Sequence, residues 1–274
     1  MKTVNDQRFY KLTTGEIYVL AGLLGHNTVY GVESDTLDRW IDDIGGNVSS
    51  VISGLAASGY AELSFGGVLY IDGTLRKAID CLCMPETMVS VAVSVGNCLS
   101  EKYCICTGNV SVMLERNKNG RVYCLRVTDN CAEAVRYILS CTQKMLNVQG
   151  HSRDIAHLSR VQISYECAAK AKSLIAGFRE EEARELFHGY LTQEDTEKVM
   201  EILGGNIGHL SVKAYSAENG ICRCGYKGLF VTGAVDAEIT ADNESNLHIN
   251  EISSDEIEKI VNKNISSVKR GALV

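Results

Sequence analysis

The order of secondary-structure signals in this 274-residue chain is written twice. In residues 1–150 helical patterns lead, a run of alternating strands follows, and a capped helix finishes; residues 151–274 repeat that order. The matching hairpins lie about 125 residues apart, too far for a solenoid and suited to a doubled domain. The expectation is an α+β fold of two pseudo-symmetric halves, each with helices, then an antiparallel strand meander, then a closing helix.

In the first half a helix is expected over 12–25. Thr13 is its cap, Glu16 completes a capping box, and Ile17, Leu20, Ala21 and Leu24 form the apolar face. Helices over 35–44 and 48–58 follow, then a hairpin of 60–63 and 68–71, then a helix over 74–82 that Pro85, the single proline, closes. Residues 12–80 thus have the element order of a winged helix. Strands are expected at 88–95, 102–106, 110–116 and 122–127, with Asn117 to Gly120 as a hairpin turn, and Asn130 caps a helix reaching Leu146.

In the second half helices are expected over 154–175 and 179–190, and Thr192 caps a third that ends before Gly204. Strands follow at 210–215, 221–231, 235–241 and 247–252, and Ser253 with Glu256 makes a capping box on the last helix.

Charge narrows the function classes. Thirty-four acidic side chains face 27 basic ones, a net charge of -7, and the basic ones form no stripe. Phosphate contacts need cations, and from Trp40 through Leu75 there is no Lys or Arg, so a winged-helix shape here presents the wrong surface to DNA. No nucleic-acid partner and no membrane insertion are expected, since no apolar run reaches the length of a span and the patch Val19 to Leu24 is a helix face.

Eleven cysteines include the pairs Cys81/Cys83, Cys104/Cys106 and Cys222/Cys224. On a strand such a pair puts both sulfurs on one face. No zinc knuckle surrounds them, and they sit at apolar positions, so they read as reduced, buried, Val-like residues of a cytosolic protein, with no metal and no cofactor. The six histidines lie in no metal-ligand pattern, and no nucleophile elbow or phosphate-binding glycine loop occurs. The expectation is a protein that is not an enzyme.

Leu12-Thr13-Thr14-Gly15-Glu16 running into the Leu20 to Leu24 helix, Leu55-Ala56-Ala57-Ser58-Gly59-Tyr60 before a short hairpin, and Cys83-Met84-Pro85 before the first long strand resemble the EspG family of type VII (ESX) secretion chaperones. With the duplicated meander the likeness spans nearly the whole chain. The resemblance implies a cytoplasmic chaperone or adaptor with a quasi-two-fold fold, which binds the exposed tip of a helical hairpin of WXG/LXG or PE/PPE type and keeps it soluble for secretion. A secretion ATPase is a further candidate partner. The Cys-rich, Pro-poor composition reads as a Gram-positive (Firmicutes-type) branch. A winged-helix transcriptional regulator or scaffold protein is the alternative.

Two segments are candidate partner-binding regions. One is the turn Asn117, Lys118, Asn119 and Gly120, because exposed loops carry recognition. The other is Phe178, Leu186, Phe187 and Tyr190, which could line one side of a groove for an amphipathic helix or could be core.

Overall fold

The computed structural model describes residues 8–32, 48–65, 68–95, 98–117, 122–147, 161–204, 208–218, 221–232, 237–241, 246–252 and 254–269. The expected helix at 35–44, the Ser253 cap and the turn residues Lys118, Asn119 and Gly120 lie outside these described residues.

The first half runs β1 (Phe9–Thr13), α1 (Thr14–Leu23), α2 (Val48–Ala57), β2 (Ala61–Leu63), β3 (Leu69–Ile71), α3 (Gly73–Cys83), β4 (Thr87–Val95), β5 (Cys98–Thr107), β6 (Val110–Arg116), β7 (Val122–Thr128) and α4 (Cys131–Asn147). The second half runs β8 (Val161–Ser164), α5 (Tyr165–Ala176), α6 (Glu180–Glu185), α7 (Gln193–Gly204), β9 (Gly208–Glu218), β10 (Ile221–Thr232), β11 (Ala237–Ala241), β12 (Asn246–Glu251) and α8 (Ser254–Lys269). The fold is α+β, as expected, with each half ending on a meander and a closing helix.

The strand order shows the doubling. In the first half it is β1-β7-β6-β5-β4, and in the second, read from the corresponding end, β8-β12-β11-β10-β9. Each half therefore lays its first strand antiparallel against its last, with Phe9 opposite Arg126 and Thr13 opposite Val122 in one, and Val161 opposite Ile249 and Ser164 opposite Asn246 in the other. Each first strand also ends on a hydroxyl residue that caps the helix behind it. Thr13 Oγ1 accepts from the Glu16 amide while Glu16 Oε2 accepts from the Thr13 amide at 2.7 Å, and Ser164 Oγ accepts from the Cys167 amide at 3.1 Å. Each such cap is worth about 1 kcal/mol.

Neither β1 nor β8 was expected from sequence. Both are short and flow straight into a helix, so Leu12 and residues 161–164 read as helical. Alternation gives them away in the structure: Tyr10 and Leu12, and Val161 and Ile163, point inward while their neighbours face out. The expected helix over 154–175 is thus corrected at 161–164, where the chain is strand. That over 179–190 shortens to α6, because beyond Glu185 the Phe187 and His188 amides bond only three residues back, and Gly189, with a left-handed φ of +86°, turns the chain before α7.

By packing, the chain divides into two compact units that do not follow a boundary at residue 150. The first holds the chain through Ser90, Glu101–Ile138 and the hairpin tip Tyr215–Cys224; the second holds Val91–Ser100, Leu139–Ala214 and the chain from Gly225 on. The core of the first is built on Leu12, Ile17, Leu20, Leu55, Leu75, Ile79, Ile105, Leu114 and Leu125. That of the second centres on Phe187, with Val161, Ile163, Ala171, Val199, Met200 and Ile249 around it. A fully buried Leu or Phe contributes roughly 1.5–3 kcal/mol, and these residues hold each unit together.

Candidate partner-binding surface

In the first unit β2 and β3 pair only with each other, as a two-stranded sheet separate from the large one. Too few residues lie in this hairpin for it to be stable alone, so its base must be anchored. Asp72 and Tyr60 do this. The Asp72 carboxylate caps α3 by accepting from the amides of Thr74 and Leu75, accepts the Tyr10 hydroxyl at 2.6 Å and pairs with Arg8. Tyr60 stacks edge-on against Tyr10 at 5.3 Å between ring centroids, and its hydroxyl accepts from the Lys11 amide. Burial works to raise the Asp72 pKa, but the Tyr10 hydroxyl, the two helix amides and the Arg8 cation outweigh it and hold the carboxyl below its ordinary value.

The hairpin exposes apolar side chains on both faces, Leu63 on the face it shares with Ala61 and Leu69, and Tyr70 on that of Glu62. Leu63 is 58% exposed and Tyr70 62%, and Leu23, Phe65 and Val68 are exposed beside them in the same compact unit. A groove of about 540 Å³ runs between the hairpin and the helices, lined by Leu23, Leu24, Ile52, Leu63, Leu69, Tyr70, Ile71 and Arg76. Seven of these eight are uncharged, and only Arg76 carries charge. Clustered exposed apolar side chains of this kind mark an interaction surface, unlike single exposed leucines.

The second unit has a cleft of about 780 Å³ along α6 and α7, in which Ile175 and Met200 stand among charged side chains. Glu180, Glu194, Glu197 and Glu201 line it against Arg184 and Lys198. Arg184 bonds Glu181 and Glu197 at 3.0 Å each, and the nearly buried Lys198 bonds Glu194 at 2.7 Å. These contacts saturate the cations and leave carboxylates in excess.

The structure divides the aromatic set expected to bind a partner. Phe187 is 1% exposed and lies in the second unit's core, with Leu186 half-buried beside it. Phe178 and Tyr190 are 94% and 85% exposed. Phe178 follows α5 with φ of 58°, at the position where helices commonly place glycine. Its amide donates to the Ile175 carbonyl and the Arg179 amide donates to that of Leu174, which closes a Schellman motif. A bulky aromatic in left-handed backbone is strained and, being exposed, gains no packing in return. Of the expected turn, Asn117 is half-buried and its side chain accepts from the Val122 amide; the other three residues lie outside the described ones.

Sequence reasoning missed the groove, although it placed the hairpin, because the exposure of Leu63, Val68 and Tyr70 depends on contacts distant in sequence. It also missed that Cys131 joins Cys104 and Cys106, three sulfurs mutually within 4.8 Å. Among the described residues no helix is long and apolar enough to cross a membrane.

No protein-family model matches the chain, and no curated protein matches it in sequence. Among solved structures it is similar to the Mycobacterium tuberculosis type VII secretion system chaperone EspG5, solved in complex with a PE25–PPE41 dimer. The match has a TM-score of 0.65 at 13% identity and covers 95% of this chain and 96% of that one. The chain therefore has an EspG-like fold from end to end.

Proposed function

We propose that this protein is a chaperone or adaptor that binds a helical secretion substrate, keeps it soluble for a type VII secretion system, and works by binding and not by catalysis. The observation that carries the proposal is the end-to-end likeness to EspG5, a type VII secretion chaperone captured with its dimeric partner. The groove beside β2 and β3, with Leu23, Ile52, Leu63 and Leu69 in its walls, supports it independently. A helix laid in such a groove packs an apolar stripe at i, i+3, i+4 and i+7 against these side chains, and among the described residues lining the groove Arg76 is the one cation, which suits a greasy partner and not a phosphate backbone. The protein acts in the cytoplasm of a Gram-positive cell, and its partner is a WXG/LXG- or PE/PPE-like helical hairpin, with the secretion ATPase as a later recipient.

The test is co-expression with helical-hairpin proteins of the WXG/LXG and PE/PPE types from the same genome, followed by size exclusion. Co-elution with one of them in fixed stoichiometry is the expected result, and separate elution from all of them would overturn the proposal. A winged-helix regulator makes the opposite prediction, salt-dependent DNA retardation at low ionic strength, where the adaptor gives none.

A further inference from the structure

We propose that Cys104, Cys106 and Cys131 form a binding site for one Cu(I) ion. The pair on β5 shares a face because strand side chains alternate, and Ile105 between them packs into the core on the opposite side. Their sulfurs stand 3.7 Å apart. The start of α4 brings Cys131 to them, so that all three sulfurs lie within 4.8 Å of one another, and none is in a disulfide.

Thiolates bound to a single d10 ion at roughly 2.3 Å stand roughly 3.8–4.0 Å apart, so this cluster closes on an ion with small side-chain adjustments. The donor set selects the ion. Three soft sulfurs suit Cu(I), whereas structural zinc is four-coordinate, and among the described residues no fourth Cys, His, Asp or Glu joins the group. Cys81 is not that fourth ligand, since it lies outside the group and donates to the Ile105 carbonyl at 3.3 Å.

Two neighbours favour the bound form. The buried Ser111 hydroxyl donates to Cys106 Sγ at 3.4 Å, as outer-shell groups do for metal-ligating sulfur. Cys131 is the first residue of the 17-residue α4, where the helix dipole stabilises a thiolate. Binding breaks three S–H bonds and forms three Cu–S bonds; the protons pass to solvent and each sulfur supplies an electron pair. Cys104 and Cys106 are buried and Cys131 half-exposed, which gives the ion its way in.

The test titrates the reduced full-length chain anaerobically with Cu(I) against bicinchoninate, and in a separate arm with Zn(II). One Cu(I) per chain held against the competitor is expected. Cys131→Ser, at a half-exposed helix start that tolerates serine, should lower the affinity more than roughly 100-fold, and Ser111→Ala roughly 10-fold, while Cys224→Ser, exposed and outside the cluster, leaves it unchanged. Circular dichroism confirms that each variant is folded. X-ray absorption of the loaded wild-type chain should show three sulfur neighbours, which keeps the proposal testable should a variant fail to fold. No copper retained, copper held equally by Cys131→Ser, or zinc bound more tightly than copper would each overturn it.

Discussion

The two halves share a frame strand for strand, yet the hairpin of β2 and β3 has a counterpart nowhere among the described residues of the second half. Where the hairpin is present, the neighbouring groove is lined by seven uncharged residues and Arg76; where it is absent, α6 and α7 carry a cleft in which paired charges stand beside Ile175 and Met200. A duplicated fold needs the shared strands to stand up. What one copy adds to them is free to serve recognition, and here the addition exposes apolar side chains. On the proposed function the first half's hairpin is the candidate partner surface, while the second half's aromatic residues are split between core and surface.

The largest expected effect sharpens that split. Phe187→Ala should destabilise the protein by about 3–5 kcal/mol in chemical denaturation, because it empties the centre of the second unit's core. Tyr190→Ala should shift stability by less than about 0.5 kcal/mol.

Next comes the groove. The double variant Leu63→Asp with Tyr70→Asp should weaken partner binding by about 2–4 kcal/mol, as loss of hot-spot residues does, while leaving the melting curve almost unchanged, since both side chains are exposed. Calorimetry of the purified complex reads this, and unaltered affinity would break the comparison.

Asp72→Asn tests the anchor and should cost about 1–2 kcal/mol through the weakened cap and lost ion pair. Because the carboxyl is held below its ordinary pKa in the folded protein, its contribution is present above the unfolded value of 3.8 and is lost as pH falls through the lower folded value. The stability gap between wild type and variant should therefore narrow below about pH 4 in acid titration.

Phe178→Gly should raise stability by about 0.5–1 kcal/mol by relieving left-handed strain at an exposed site. A simultaneous fall in partner affinity would assign Phe178 a contact and give the second half a share in recognition. The smallest effect is expected from Glu197→Gln. It removes one partner of Arg184, changes stability by less than about 0.5 kcal/mol, and that small change should fade as salt is added.

The frame was legible in the sequence because its signals are local. Thr13 with Glu16, Asn130 with Glu133 and Thr192 with Asp195 cap helices where the residue types say they should. The Val89, Val91 and Val93 alternation marks β4 without outside help. What escaped is non-local. β1 and β8 become strands only because β7 and β12 lie beside them, and four or five residues carry too little periodicity to declare themselves. The exposure of Tyr70 and the burial of Phe187 depend likewise on contacts distant in sequence. Cys104 and Cys106 were visible as a pair, but Cys131 joins them through the docking of α4, which no spacing rule encodes.

Hydrogen–deuterium exchange of the chain with and without its helical partner tests the central claim most directly. The account predicts slowed exchange over 61–65, 68–71 and the end of α1, around the groove, with little change along α6 and α7. Protection concentrated on the acidic cleft, or no protection anywhere on adding the partner, would contradict it.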